Sequence, residues 1–138
     1  MNSEIELWKL NSKKIKVLKD ERGHLGELDL SQIPFRAKRI YWVHVFETET
    51  RGYHAHKSLR QFVVVLNGEL SMLLDDGRSS QQIELKAGEN VMVEAGVWRE
   101  FKATKGDATI LVMASQEYDE SDYIRDYQLF QEWKNEVL

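Results

Sequence analysis

The 138-residue chain has no cysteine and a single proline, Pro34. Without thiols there is no disulfide, no thiolate metal ligand and no cysteine nucleophile. No apolar run approaches the roughly 20 residues that a membrane-spanning helix needs. The N-terminal MNSEIELWKL lacks the basic start and apolar core of a signal peptide. Nor is there a basic surplus: 19 Lys and Arg stand against 23 Asp and Glu, a net charge of −4. A nucleic-acid binder would carry a basic face. These absences predict a cytoplasmic protein with no membrane span and no nucleic-acid partner. Linkers, internal repeats and low-complexity tracts are also missing, so one domain over residues 1–138 is expected.

Short apolar segments separated by turn signals fill most of the chain. They include KKIKVL (13–18), AKRIYWVHVF (37–46), RQFVVVLNG (60–68), ELSMLLDDG (69–77), QQIELKAGE (81–89), NVMVEAGVW (90–98) and ATILVMAS (108–115). Strands at this spacing, two of them ending in Asn-Gly and Asp-Gly, predict an all-β sandwich or barrel. Near the C-terminus the period changes. Apolar or aromatic residues at 123, 124, 127, 130, 133 and 137 form the stripe of an amphipathic helix, with Asp119 or Ser121 as its cap. Tyr123, Tyr127 and Trp133 are read as packing residues of that helix.

GYHAHK (52–57) places two of the four histidines one residue apart. On a strand His54 and His56 face the same side. Gln61 and Gly68 follow, and Gly88, Glu94, Gly96 and Arg99 recur further on. This frame resembles the double motif of the cupins, whose metal-binding members carry two His and a Glu in the first half and a His in the second. Here Gln61 stands at the Glu position and Arg99 at the second-half His position. Arg carries a fixed positive charge and only donors, so it cannot ligate a metal and would repel one. The expectation is therefore a cupin-type β-barrel or jelly roll (double-stranded β-helix) with a C-terminal amphipathic helix. Its metal site would be replaced by a polar pocket that accepts an anion, with no metal and no cofactor.

Further stretches narrow the likeness. IPFRAKRIYWV, RGYHAHKSLRQFVVVLNG, LDDG, VWRE and ASQEYDESDYIRDYQLF resemble the dTDP-4-keto-6-deoxyglucose 3,4-ketoisomerases, small metal-free cupins that supply amino- and acylamino-sugars for bacterial surface polysaccharides. The resemblance runs from about residue 15 to residue 130. It implies an isomerase that moves the ketone of a dTDP-linked 4-keto-6-deoxyhexose from C4 to C3 through an enediol, and a homodimer, often with exchanged N-terminal strands. By position, His54 matches the family's catalytic base and Tyr41 its proton shuttle. His56 is assigned to sugar contact and orientation. Arg51 and Arg39 are assigned to the diphosphate or sugar oxygens, and Gln61 to a histidine or the sugar. Arg22 and Arg99 are assigned to the neighbourhood of C4, where reprotonation sets the gluco or galacto product; this Arg/Arg pairing matches neither type clearly. Trp98 is expected in the core, and His24 and His44 as structural residues. Two other functions remain: a dTDP-4-ketosugar 3,5-epimerase, which should show a His–Asp pair, and a non-catalytic nucleotide-sugar-binding cupin.

Overall fold

The computed structural model describes residues 8–10 and 16–137. In chain order the strands are β1 (Trp8–Leu10), β2 (Lys16–Asp20), β3 (Gly23–Glu27), β4 (Arg39–Val45), β5 (Thr50–His56), β6 (Gln61–Asn67), β7 (Glu69–Asp75), β8 (Ser80–Lys86), β9 (Asn90–Val93), β10 (Trp98–Ala103), β11 (Ala108–Ala114) and β12 (Tyr123–Ile124). One helix follows, α1 (Tyr127–Val137). Two five-stranded sheets form, in the orders β1-β9-β6-β11-β4 and β12-β5-β10-β7-β8, and β2 and β3 make a separate hairpin. This is the all-β cupin-type jelly roll expected from the sequence.

Alternation explains which side chains fill it. Along β4, Tyr41, Val43 and Val45 turn inward while Ile40, Trp42 and His44 face out. β6 is buried on both faces. Its Val63 and Val65 join Leu70, Leu74, Leu85, Val91 and Ile110 between the sheets, and its Phe62 and Val64 pack outward under Ile33 and Phe35. Each fully buried aliphatic side chain contributes about 1.5–3 kcal/mol.

Asn67-Gly68 is the turn expected, and it carries the chain from one sheet to the other. A Cβ on Gly68 (φ +82°) would lie 2.4 Å from the Asp107 carbonyl oxygen, so only glycine fits there. NVMVEAGVW is not one strand: it breaks after Val93, and Trp98 opens β10. The helix starts at Tyr127. Asp126, whose Oδ1 accepts from the Leu129 N–H at 3.0 Å, is its cap, while Asp119 caps a short 3-10 turn over Glu120–Asp122. Tyr123 and Ile124 pair with His56 and Ala55 as a strand. The helix covers this end of the barrel, with Phe130 fully buried against Ala55, Trp98 and Ile124. Trp98 is a core residue, as expected.

Candidate active site

β10 runs beside β5 with Arg99 opposite His54, and their register slips between Arg99 and Glu100. Across from the slip, Gly52 (φ +99°) and Tyr53 (φ +57°) both take left-handed backbone, the mark of a bulge. A Cβ on Gly52 would stand 2.8 Å from the Arg99 carbonyl oxygen. The bulge brings the Gly52 carbonyl oxygen to 3.1 Å from Nδ1 of His54. A carbonyl only accepts, so Nδ1 carries the proton and Nε2 keeps its lone pair. That Nε2 is buried and has no hydrogen-bond partner among the described residues. Burial, then the charge of Arg99, lowers the His54 pKa from 6.5 to about 4, so the imidazole is neutral at physiological pH.

A second chain of hydrogen bonds orients the phenol of Tyr41. The buried Arg99 donates through Nη1 to Gln61 Oε1, and through Nη2 to the Val97 carbonyl oxygen at 2.8 Å. Gln61 then donates through Nε2 to the Tyr41 hydroxyl at 2.8 Å. Because that hydroxyl accepts from Gln61, its own hydrogen is free for a ligand. Burial raises the Tyr41 pKa and keeps the phenol protonated, against the pull of Arg99 and Arg39. Burial likewise pushes Arg99 down to about 10, still cationic at neutral pH.

These groups face a cavity of about 230 Å³ inside the barrel. Its wall includes Tyr41, His54, Gln61, Arg39, Arg51, Arg99, Tyr123 and Arg125, with no carboxylate among the described residues. A cationic cavity in a net-acidic protein fits an anionic ligand. Of nine buried side-chain polar atoms without a hydrogen-bond partner among the described residues, six belong to Arg39, His54, His56 and Arg99. Such groups are costly to bury unless something completes them. A larger cleft, about 280 Å³, lies between the β2–β3 hairpin and the outer face of β6. It is mostly apolar, holds His24 and Glu27 but no arginine, and is not where the unpaired donors gather.

Two of the expected site residues are not on the cavity wall. Arg22 sits at the exposed tip of the β2–β3 hairpin, bound to Asp20 at 2.6 Å. Its two-residue turn carries it away from the barrel interior. His56 shares a face with His54, but it is fully buried beside it, with ring centroids 4.9 Å apart. Conversely, Tyr123 and Arg125 are cavity residues that the helix stripe concealed. The Tyr123 ring packs on both imidazoles, with centroids at 5.1 and 4.3 Å, and the Arg125 guanidinium lies 4.1 Å from that ring's centroid. Arg125 is tied to Glu120 by two hydrogen bonds of 2.8 and 3.0 Å. His44 is a surface residue, held by Asp107 and Thr109 at 3.0 Å each.

The model of the family described as FdtA, WxcM-like, C-terminal, matches residues 8–135. The chain belongs to this family. A curated relative from Aneurinibacillus thermoaerophilus, TDP-4-oxo-6-deoxy-alpha-D-glucose-3,4-oxoisomerase, is 41% identical over 119 residues, covering 83% of this chain and 84% of the relative. Among solved structures, the sugar 3,4-ketoisomerase QdtA of Thermoanaerobacterium thermosaccharolyticum in complex with TDP is 35% identical with a TM-score of 0.82, covering 96% of this chain and 97% of that one. A mutant of QdtA, with one histidine replaced by asparagine and in complex with TDP-4-keto-6-deoxyglucose, is 35% identical with a TM-score of 0.81, over 94% and 95% of the two chains.

This FdtA-like chain keeps the cupin frame and not a metal-binding donor set. The four ligand positions hold His54, His56, Gln61 and Arg99, and the Gln61 oxygen is taken by the Arg99 guanidinium. A cation there would meet a fixed positive charge. The residues present do not fit a metal. The His–Asp pair expected of an epimerase does occur, but on the other histidine: Asp122 Oδ2 lies 3.4 Å from Nδ1 of His56, while His54 has a backbone carbonyl in that place. No described helix is long and apolar enough to cross a membrane.

Proposed function

We propose that this chain converts a dTDP-linked 4-keto-6-deoxyhexose to its 3-keto isomer, with His54 as base and Tyr41 as proton shuttle. The observation that carries the reading is the pair of oriented, complementary groups on one cavity wall. His54 Nε2 offers a lone pair and Tyr41 a free hydroxyl hydrogen. The C4 ketone acidifies the C3–H. His54 takes that proton while Tyr41 donates to the C4 oxygen, giving an enediol. Tyr41 then recovers a proton from the C3 hydroxyl, the ketone forms at C3, and the proton held by His54 or by solvent is delivered to C4. One carbon-bound and one oxygen-bound proton move, and no redox partner is needed.

A cavity of about 230 Å³ is below the roughly 300–1,000 Å³ typical of whole small-ligand pockets. The sugar would enter and the nucleoside diphosphate would lie at the mouth, near Arg51, Arg39 and Arg125. Diphosphate charge there would offset Arg99 and strengthen His54 as a base. Of the Arg22/Arg99 pair, Arg99 lines the cavity and Arg22 does not, which supports Arg99 as the residue that would stand near C4. A homodimer is supported by the exposed Ile40, Trp42 and Phe46, on and just after β4, which is an edge strand among the described residues. Equilibrium sedimentation at micromolar concentration checks this, and a compact monomer would refute it.

The function itself is tested by incubating the protein with dTDP-4-keto-6-deoxyglucose in deuterated water and following the sugar by NMR. The isomerase gives deuterium at C4 with the ketone at C3. Deuterium at C3 and C5 with the ketone still at C4 identifies an epimerase, and no exchange identifies a binder. Activity should survive exhaustive chelation; loss restored by one added divalent ion would overturn the metal-free reading.

A further inference from the structure

Behind the cavity wall lies a buried carboxylate that the proton transfers leave unused. Asp122 is 7% exposed. Its Oδ1 accepts from the Ser58 N–H at 3.0 Å and the Ser58 hydroxyl at 2.7 Å. Its Oδ2 accepts from the Leu59 N–H at 3.1 Å and lies 3.4 Å from His56 Nδ1. Its main-chain carbonyl accepts from the Lys57 N–H at 2.9 Å. One residue thus hydrogen-bonds each of the three residues after His56 and stands beside the His56 ring, whose Nδ1 has no hydrogen-bond partner among the described residues, where the chain leaves β5 and turns into β6 toward Gln61. The next residue, Tyr123, packs on both histidines.

We propose that Asp122 is a positioning residue for the isomerisation, holding His56 as the neutral Nδ1–H tautomer in the place against which His54 rests. The inference builds on the reading of His54 as the base. A carboxylate only accepts, so a neutral imidazole facing it presents its N–H. The opposite tautomer would set a lone pair against a carboxylate oxygen in a buried site. Two observations bear on the charge of this pair. The distance alone would allow an ion pair. Burial, and then the charge of Arg99 with Arg39 and Arg125 around the ring, holds the His56 pKa down to about 2. The imidazole of this contact is therefore neutral. Neutrality matters because a cationic His56 would stand edge to face with the group that must itself gain a proton.

Asparagine at 122 makes the tautomer visible. Its oxygen would stay with the two Ser58 donors and its amide nitrogen would take the place of Oδ2, where the Leu59 N–H loses its acceptor and His56 Nδ1 meets an N–H, which moves the imidazole proton to Nε2. Full-length protein labelled with 15N-histidine reads this directly, with His56 identified by its loss from the spectrum of His56→Gln. The expected wild-type signal is the Nδ1–H form; an Nε2–H form in the wild type overturns the proposal without any variant. Asp122→Asn should switch His56 to Nε2–H and lower kcat by about tenfold or more, the scale of wrong-tautomer and supporting-contact losses, with KM within about threefold. In the His56→Gln background the same substitution should cost less than about threefold further, because its effect passes through that ring. An equal loss in both backgrounds marks a merely structural role and overturns the proposal. Undiminished turnover by His54→Asn would instead overturn the base assignment, and the tautomer result would stand apart from it.

Discussion

The two ends of the barrel interior are lined from the same strands and behave differently. At one end, Val65 on β6, Leu70 on β7 and Leu85 on β8 close a dry core with no unpaired polar atom among them. At the other end, Gln61 on the same β6 and Arg99 on β10 hold the hydrogen bonds that orient Tyr41, and the unpaired donors and lone pairs of Arg39, His54 and Arg99 gather. The lesson is that the apolar end stabilises the fold while the polar end spends stability on being ready for a ligand.

Substitutions should separate the two ends. The largest expected effect is catalytic: His54→Asn should lower turnover by about 10²–10⁴, with dTDP-sugar affinity within about tenfold, since the nucleotide and diphosphate supply most of the binding. Steady-state kinetics with a binding titration checks both. Next, Leu85→Ala in the dry core should cost about 2–5 kcal/mol of unfolding free energy and leave the turnover of folded enzyme unchanged, read by denaturant melts beside activity. Arg99→Met should do the reverse. It removes a buried charge but also leaves Gln61 Oε1 and the Val97 carbonyl without their donor, so the two effects should largely offset and stability should change by less than about 2 kcal/mol, while activity collapses because Gln61 no longer orients Tyr41. If Arg99→Met destabilises as much as Leu85→Ala, the division between the ends is wrong.

The smallest effect is in pH. His54 is lowered to about 4 and His56 to about 2 in the folded protein, against an ordinary 6.5. The unfolded chain therefore takes up protons first as pH falls. Stability is retained above about pH 6.5 and lost progressively below it, through pH 4. The acid limb of kcat/KM for the free enzyme should fall near pH 4, not near 6.5. A Tm-against-pH series with His56→Gln should show a shallower acid slope than the wild type.

Much of the polar end was legible in the sequence because one spaced motif encodes it. The His54-x-His56, Gln61 and Arg99 positions fix which strand faces carry polar groups, and Tyr41 lies on a strand with clear alternation. What could not be read was set by tertiary placement. Tyr123 and Tyr127 fit one helical stripe, yet Asp126 caps the helix after Arg125, and pairing with β5 turns Tyr123 into the cavity. Arg125 follows it to the mouth. His56 obeys the two-residue alternation, but the wall ends at His54 and Asp122 fills the space behind. Nothing local in the sequence tells where the hairpin carrying Arg22 lies relative to the barrel.

The central claim is that His54, and not the neighbouring His56, removes the C3 proton. The most direct measurement is C3–H exchange into deuterated water by His54→Asn and His56→Asn, each saturated with the dTDP-4-ketosugar and followed by NMR. The expected result is exchange abolished in His54→Asn and only slowed in His56→Asn. Exchange at near wild-type rate in His54→Asn, with none in His56→Asn, would contradict the account and make His56 the base.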